Sequence, residues 1–243
     1  MTKTKWEEYK EKNNIANSDI KQNTQVINNS PLPIINSNIN FTKKELAPGI
    51  WVYQNIFQDS LKLIKDINKH YSPEFAEAMI ANGKINEGVN KQSRDCSVVV
   101  ISKTSKREDA EKDLIYDTIT QSIMVCMKDY AEFYNVNLDD LTSDNWQILR
   151  YGKSQHFDSH ADDGIRYPRT ISTTAYLNDD YTGGEIYYKH FNLNYKPRSG
   201  DILIFPSNYV NNHKVIPVEK GIRYAVVNWF RWKTMKVDML ADS

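Results

Sequence analysis

From about residue 145 onward the chain breaks into short runs rich in β-branched and aromatic residues, and this limits the fold more than any other feature. The runs cover residues 145–151, 170–177, 184–189, 201–206, 213–218 and 223–231. Turn residues of the type Asn-Asp-Asp, Gly-Gly and Ser-Gly-Asp separate several of them. Upstream, residues 49–53 follow a Pro-Gly turn signal, and residues 97–102 also read as strands. Two helices are expected before the strand-rich region. Asp59 can cap one with Leu61, Ile64 and Ile67 at three-residue spacing. The other spans 108–133, with Leu114, Ile115, Ile119, Ile123, Met124 and Met127 at the helical period. Helices first and a run of short strands after them predict a mainly β, α+β fold: a sandwich or barrel backed by helices.

A chain of 243 residues is long enough to bury a core without a disulfide or metal staple. Residues 1–45 are rich in Asn, Lys and Ser and predict a polar, flexible arm, with a short helix over 6–12 as the alternative. The folded domain is expected over 46–236 and a tail over 237–243. Residues 81–95 are polar and read as a long loop. Lys plus Arg and Asp plus Glu both number 31, and a balanced chain is a poor match for nucleic acid as main partner. No apolar run approaches membrane-spanning length, and the first residues lack the apolar core of a signal peptide. Cys96 and Cys126 are too few for a disulfide framework, so reduced thiols and a cytoplasmic location are expected.

The residues suited to chemistry lie among the strands. In an extended segment, residues two apart face the same side, so His160-Ala161-Asp162 presents an imidazole and a carboxylate together. His213 falls in a later strand that a barrel would close beside them. Two histidines and one carboxylate occupy one face of an octahedron and leave three positions open, the arrangement expected of non-haem Fe(II) oxygenases. A lone H-x-D is a weak signal, and a second copy, His156-Phe157-Asp158, stands four residues earlier. Arg223 follows on the next strand. Its planar fork suits the distal carboxylate of 2-oxoglutarate, and Tyr151 and Tyr176 on flanking strands can add phenolic hydrogen bonds.

The stretch YGKSQHFDSHAD, residues 151–162, resembles the iron-binding strand of prolyl 4-hydroxylase-type Fe(II)/2-oxoglutarate-dependent dioxygenases. Further on, RTISTTAYLND (169–179), GGEIYY (183–188), SGDILIF (199–205), HKVIPV (213–218) and GIRYAVVNW (221–229) resemble later segments of that family, in family order. The resemblance covers roughly residues 145–232 and implies a double-stranded β-helix, or jelly-roll, with iron at its open mouth. It selects His160-Asp162 over His156-Asp158. It implies His160, Asp162 and His213 as Fe(II) ligands, and Arg223, Tyr151 and Tyr176 as 2-oxoglutarate contacts. Trp229 matches an aromatic near the active-site wall, and Arg94, at the end of the 81–95 loop, is a candidate substrate contact, with a solvated loop arginine as the alternative. The implied cosubstrates are 2-oxoglutarate and O2, with ascorbate as accessory reductant. The implied reaction is hydroxylation of a prolyl residue in a peptide or protein, with release of succinate and CO2. A free amino acid or other small molecule, or a non-catalytic jelly-roll binding module, are the alternatives. Collagen-type enzymes carry Lys where this chain has Arg223, and often Thr where it has Ile186. That difference points to the oxygen-sensing or bacterial branch.

Overall fold

The computed structural model describes residues 41–57, 59–80, 88–104, 106, 109–165 and 167–235, together with the backbone of a strand at Ile20–Gln22. In chain order the strands are β1 (Ile20–Gln22), β2 (Phe41–Ala47), β3 (Ile50–Gln54), β4 (Ala76–Glu77), β5 (Arg94–Asp95), β6 (Ser97–Ile101), β7 (Leu141–Ser143), β8 (Trp146–Tyr151) and β9 (His156–His160). They continue as β10 (Ile171–Tyr176), β11 (Thr182–Gly183), β12 (Ile186–Tyr188), β13 (Leu193–Tyr195), β14 (Ile202–Pro206), β15 (His213–Val215), β16 (Val218–Lys220) and β17 (Arg223–Trp232). Helix α1 is Ser60–Tyr71 and helix α2 is Ala110–Phe133.

The large sheet runs β1-β2-β3-β14-β10-β17-β8-β6-β4, with β7 also on β17. The smaller sheet runs β13-β12-β15-β9-β5, and β11 pairs with β16. Every pairing between these strands is antiparallel. Strand parity sets what each sheet face touches. In β14, Ile202 and Ile204 pack outward against α2 residues Ile119, Ile123 and Met127. Their neighbours Leu203 and Phe205 point the other way and meet Ile186, Tyr188 and Leu193 of the smaller sheet. Trp51 and Tyr53 of β3 face the helices, and Ile50 and Val52 face the interior. Two sheets closed over an apolar interior, with helices covering one outer face, make the expected jelly-roll.

Several expectations shift. The boundary at residue 45 falls inside β2, where Phe41 and Lys43 are buried. Lys43 escapes a reading by hydropathy because its charge is met: Nζ donates to both Asp129 oxygens, at 2.8 and 2.7 Å. Tyr53 Oη donates to the same carboxylate at 2.8 Å. The alternative helix over 6–12 lies outside the described residues. In α1, Asp59 caps as expected, accepting from the Lys62 amide at 2.9 Å. The buried row is Leu63, Ile67 and Tyr71, and Leu61 is 65% exposed. Leu114 of α2 is likewise exposed, because the sheet beneath meets the Ile115-Ile119-Ile123 row. The expected loop 81–95 contains β5, which pairs with β9. Among the described residues no helix is long and apolar enough to cross a membrane.

Candidate metal and carboxylate site

Histidine 160 ends β9, His213 opens β15, and antiparallel pairing sets them directly opposite each other. Asp162 follows just past the end of β9. Its Oδ1 lies 3.5 Å from His160 Nε2, and its Oδ2 lies 4.0 Å from His213 Nε2. One donor atom from each of the three residues falls within 4.8 Å of the others. Each histidine commits Nδ1 to a backbone carbonyl: Asp158 O at 2.7 Å for His160, and Asn211 O at 3.0 Å for His213. With Nδ1–H donating, Nε2 keeps its lone pair for a metal. Burial, with His160 beside it, pushes His213 down to about 4, so its ring is neutral at physiological pH. Burial also opposes ionisation of Asp162. The two histidines and a hydrogen bond from Ser172 Oγ, 2.7 Å from Oδ2, outweigh it and hold the carboxyl well below the usual range. Two imidazole nitrogens and an ionised carboxylate with fixed orientations suit a divalent transition metal.

The earlier H-x-D copy is built differently. Both His156 ring nitrogens face backbone carbonyls, Gln92 O at 3.1 Å and Ser154 O at 3.4 Å. The Asp158 side chain is 62% exposed. Among the described residues the grouping of potential metal ligands is His160, Asp162 and His213, and it does not include His156 or Asp158.

Beside the triad, Arg223 is buried to 2% exposure. In register it faces Tyr151 across the β8–β17 pair, and its guanidinium carbon lies 5.0 Å from the ring centroids of both Tyr151 and Tyr176. Among the described residues it makes no ion pair, and its Nε is buried without a hydrogen-bond partner, as are the Tyr176 and Tyr181 hydroxyls. Burial works against the Arg223 charge, but the phenols of Tyr181, Tyr176 and Tyr151 favour it and more than compensate. A buried cation without a counter-charge is costly, and a carboxylate ligand relieves that cost. The pocket between triad and arginine is small, with a volume of about 40 Å³. Its walls include Phe157, Thr174, Val215 and Val227 besides the triad, and Arg94 and Trp229 line it too.

Residues 146–231 match the family described as the 2OG-Fe(II) oxygenase superfamily. Over that stretch the chain is similar to that superfamily. A protein of Acanthamoeba polyphaga mimivirus named as a prolyl 4-hydroxylase is 23% identical over 178 residues, which are 65% of this chain and 66% of that protein. A PKHD-type hydroxylase of Idiomarina loihiensis is 36% identical over 90 residues, 34% of this chain and 39% of its own length. The chain thus matches just under two thirds of the first relative and about two fifths of the second. Among solved structures, a prolyl hydroxylase of Trichoplax adhaerens, in complex with a hypoxia inducible factor oxygen degradation domain peptide fragment, superposes with a TM-score of 0.62. It is 19% identical and is matched over 80% of this chain and 88% of its own. A Pseudomonas putida prolyl-4-hydroxylase gives a TM-score of 0.55 at 16% identity, covering 76% of this chain and 93% of that one. These structural likenesses bear on the fold, which is that of prolyl 4-hydroxylase-like members of the superfamily.

Seven of the eight residues singled out in the sequence line this pocket, and the eighth, Tyr176, lies beside Arg223, its ring centroid 5.0 Å from the guanidinium carbon. Arg94 is held at the side of it, with its guanidinium 4.8 Å from the Phe157 ring and Nη1 donating to Met79 O at 3.2 Å. Sequence reading missed Ser172, Phe157, Arg169 and Tyr181. Ser172 shares strand parity with Tyr176, a signal that was available. Phe157 stacks on His160 at 3.6 Å. Arg169 lies 3.6 Å over the Trp229 ring and donates to Asp162 O at 3.3 Å. Tyr181 sits in a turn, where no periodicity marks it.

Proposed function

We propose that this chain is an Fe(II)- and 2-oxoglutarate-dependent hydroxylase acting on a prolyl residue of a peptide or protein, with release of succinate and CO2. The observation that carries the reading is the buried, unpaired Arg223 set beside a His-Asp-His cluster. A facial metal triad and a cation awaiting a carboxylate share one pocket, as a chelating keto acid with a distal carboxylate requires. The names of the mimivirus and Trichoplax relatives support the prolyl substrate class. We place the protein in the cytoplasm, and its two buried, unpaired cysteines support a reducing compartment.

In this reading His160 and His213 offer Nε2, and Asp162 offers its carboxylate, to Fe(II). Ser172 holds the Asp162 oxygen, and the Asp158 and Asn211 carbonyls hold the histidine rings. Bound iron and 2-oxoglutarate supply the dioxygen activation that leads to oxygen insertion into a C–H bond. Arg223 pairs with the distal carboxylate, with Tyr176 and Tyr151 beside it. Phe157, Val215 and Val227 keep water from the pocket wall. Trp229 and Arg94 meet the substrate. No side chain has to move a proton, so the lack of a nucleophile–base pair costs the reading nothing.

The test is succinate release with Fe(II), 2-oxoglutarate and ascorbate over a panel of Pro-containing peptides and free amino acids. Mass spectrometry should find one added oxygen on proline in a peptide. Turnover confined to free amino acids would replace the substrate class, and absence of succinate with every substrate would leave a binding module.

A further inference from the structure

The segment that leads into His213 also grips the Asp162 side of the site, and it does so at Ser207. This residue stands just past the end of β14 and is 1% exposed. Each of its polar groups reaches the stretch that carries Asp162. Its amide donates to Thr170 O at 3.0 Å, and its carbonyl accepts from the Asp163 amide at 2.9 Å. Its hydroxyl lies 2.8 Å from Ser172 Oγ, which in turn lies 2.7 Å from Asp162 Oδ2. The far end of this chain fixes its direction. A carboxylate can only accept, so Ser172 gives its one hydroxyl proton to Asp162. Ser172 Oγ must then be the acceptor from Ser207. Both serines are buried, so neither hydroxyl has water to turn to. Aligned hydrogen bonds polarise one another, and the outer hydroxyl strengthens the inner bond. Further along the same segment, Asn211 O accepts from His213 Nδ1 at 3.0 Å. Asn208 stiffens the turn between: its Oδ1 accepts from the Val210 amide at 3.1 Å and from Asn211 Nδ2 at 3.0 Å. One short stretch, 207–213, thus holds Asp162 at one end and His213 at the other.

We propose that Ser207 is a positioning residue for the metal site. Its hydroxyl acts through Ser172 to lock the Asp162 carboxylate, so that Asp162 and His213 stand at a set separation before an ion arrives. A carboxylate already oriented gives up less side-chain freedom when it binds an ion. The proposal rests on the assignment of His160, Asp162 and His213 as metal ligands. It traces part of the metal affinity to a residue that reaches the Asp162 carboxylate only through another side chain.

The test is Mn(II) binding to the full chain by calorimetry, with the visible absorption of the Co(II)-loaded protein as a second readout. Ser172→Ala should weaken Mn(II) about tenfold or more, the usual cost of removing a hydrogen bond to a ligating carboxylate. Ser207→Ala should weaken it about threefold, the low end for one neutral hydrogen bond. It should also shift the Co(II) bands in the same direction as Ser172→Ala. Without the Ser172 hydroxyl Ser207 has nothing to act through, so the double variant should bind Mn(II) as Ser172→Ala does alone. A Ser207→Ala protein that melts earlier without metal, yet keeps the wild-type Mn(II) affinity and Co(II) spectrum, would make Ser207 a structural residue and overturn the proposal. Additive losses in the double variant would overturn it too, since Ser207 would then act by another route. A wild-type chain that does not bind Mn(II) would refute the triad first, and Ser207 with it. Wild-type binding matched by Ser207→Ala removes Ser207 alone.

Discussion

Asp162 and Asp158 stand four residues apart in the same local pattern, yet the chain treats them oppositely. Asp162 is held by Ser172 between two free imidazole nitrogens, and Asp158 points to solvent beside a histidine engaged with carbonyls. Asp162→Ala should therefore abolish both metal binding and turnover while the far-ultraviolet circular dichroism stays native. Asp158→Ala should keep most of each, and the reverse result would move the metal to His156. Arg223 allows a sharper test because it serves binding at the expense of the empty fold. Arg223→Met should weaken 2-oxoglutarate by roughly 2–5 kcal/mol, the cost of truncating a buried charge pair. In the ligand-free protein the same change should raise the melting temperature, since an unpaired buried cation gives way to a hydrophobic side chain of similar length. A lower ligand-free melting temperature would mean that the guanidinium is already satisfied without a ligand.

At the scale of elements, the chemistry depends on pairs that lie far apart in the chain. β9 and β15 bring the histidines together, and β8 and β17 bring Tyr151 to Arg223. Parity does the rest: Ser172, Thr174 and Tyr176 share the pocket side of β10, and Arg223 and Val227 that of β17. The element least visible in the sequence is β2, which reads as polar and owes its place to one buried ion pair. Lys43 and Asp129 join it to α2, with their side chains 4% and 10% exposed. Asp129→Ala would leave Lys43 buried without a counter-charge and should destabilise the protein by about 3–5 kcal/mol in urea unfolding. Replacing both with apolar residues of similar size, Lys43→Met with Asp129→Leu, should recover most of that loss. A loss of less than about 1 kcal/mol for Asp129→Ala would mean that Lys43 reaches water instead.

For the molecule as a whole, site and stability are linked, because the ligand-free protein carries costs that ligands relieve. A ligand that binds only the native state at a hundred times its Kd adds about 2.7 kcal/mol. Mn(II) followed by 2-oxoglutarate should each raise the melting temperature of the wild-type chain. Asp162→Ala should lose the Mn(II) step, and an undiminished step in that variant would place the ion elsewhere. Sequence alone was enough for the two helices, for most of the strands after residue 145, and for a short set of candidate residues, His160, Asp162, His213 and Arg223, with a family resemblance choosing between the two H-x-D copies. Those properties are local: period-2 and period-3.6 patterns, a two-residue spacing in an extended run, a cap at Asp59. Tertiary structure alone decided three things. It buried Lys43 against Asp129, which composition reads as surface. It turned Leu61 and Leu114 to solvent, because the sheet beneath meets other rows of each helix. And it set Ser207 against Ser172 and Asp163, contacts that no local pattern encodes because each joins residues brought together only when the strands pair.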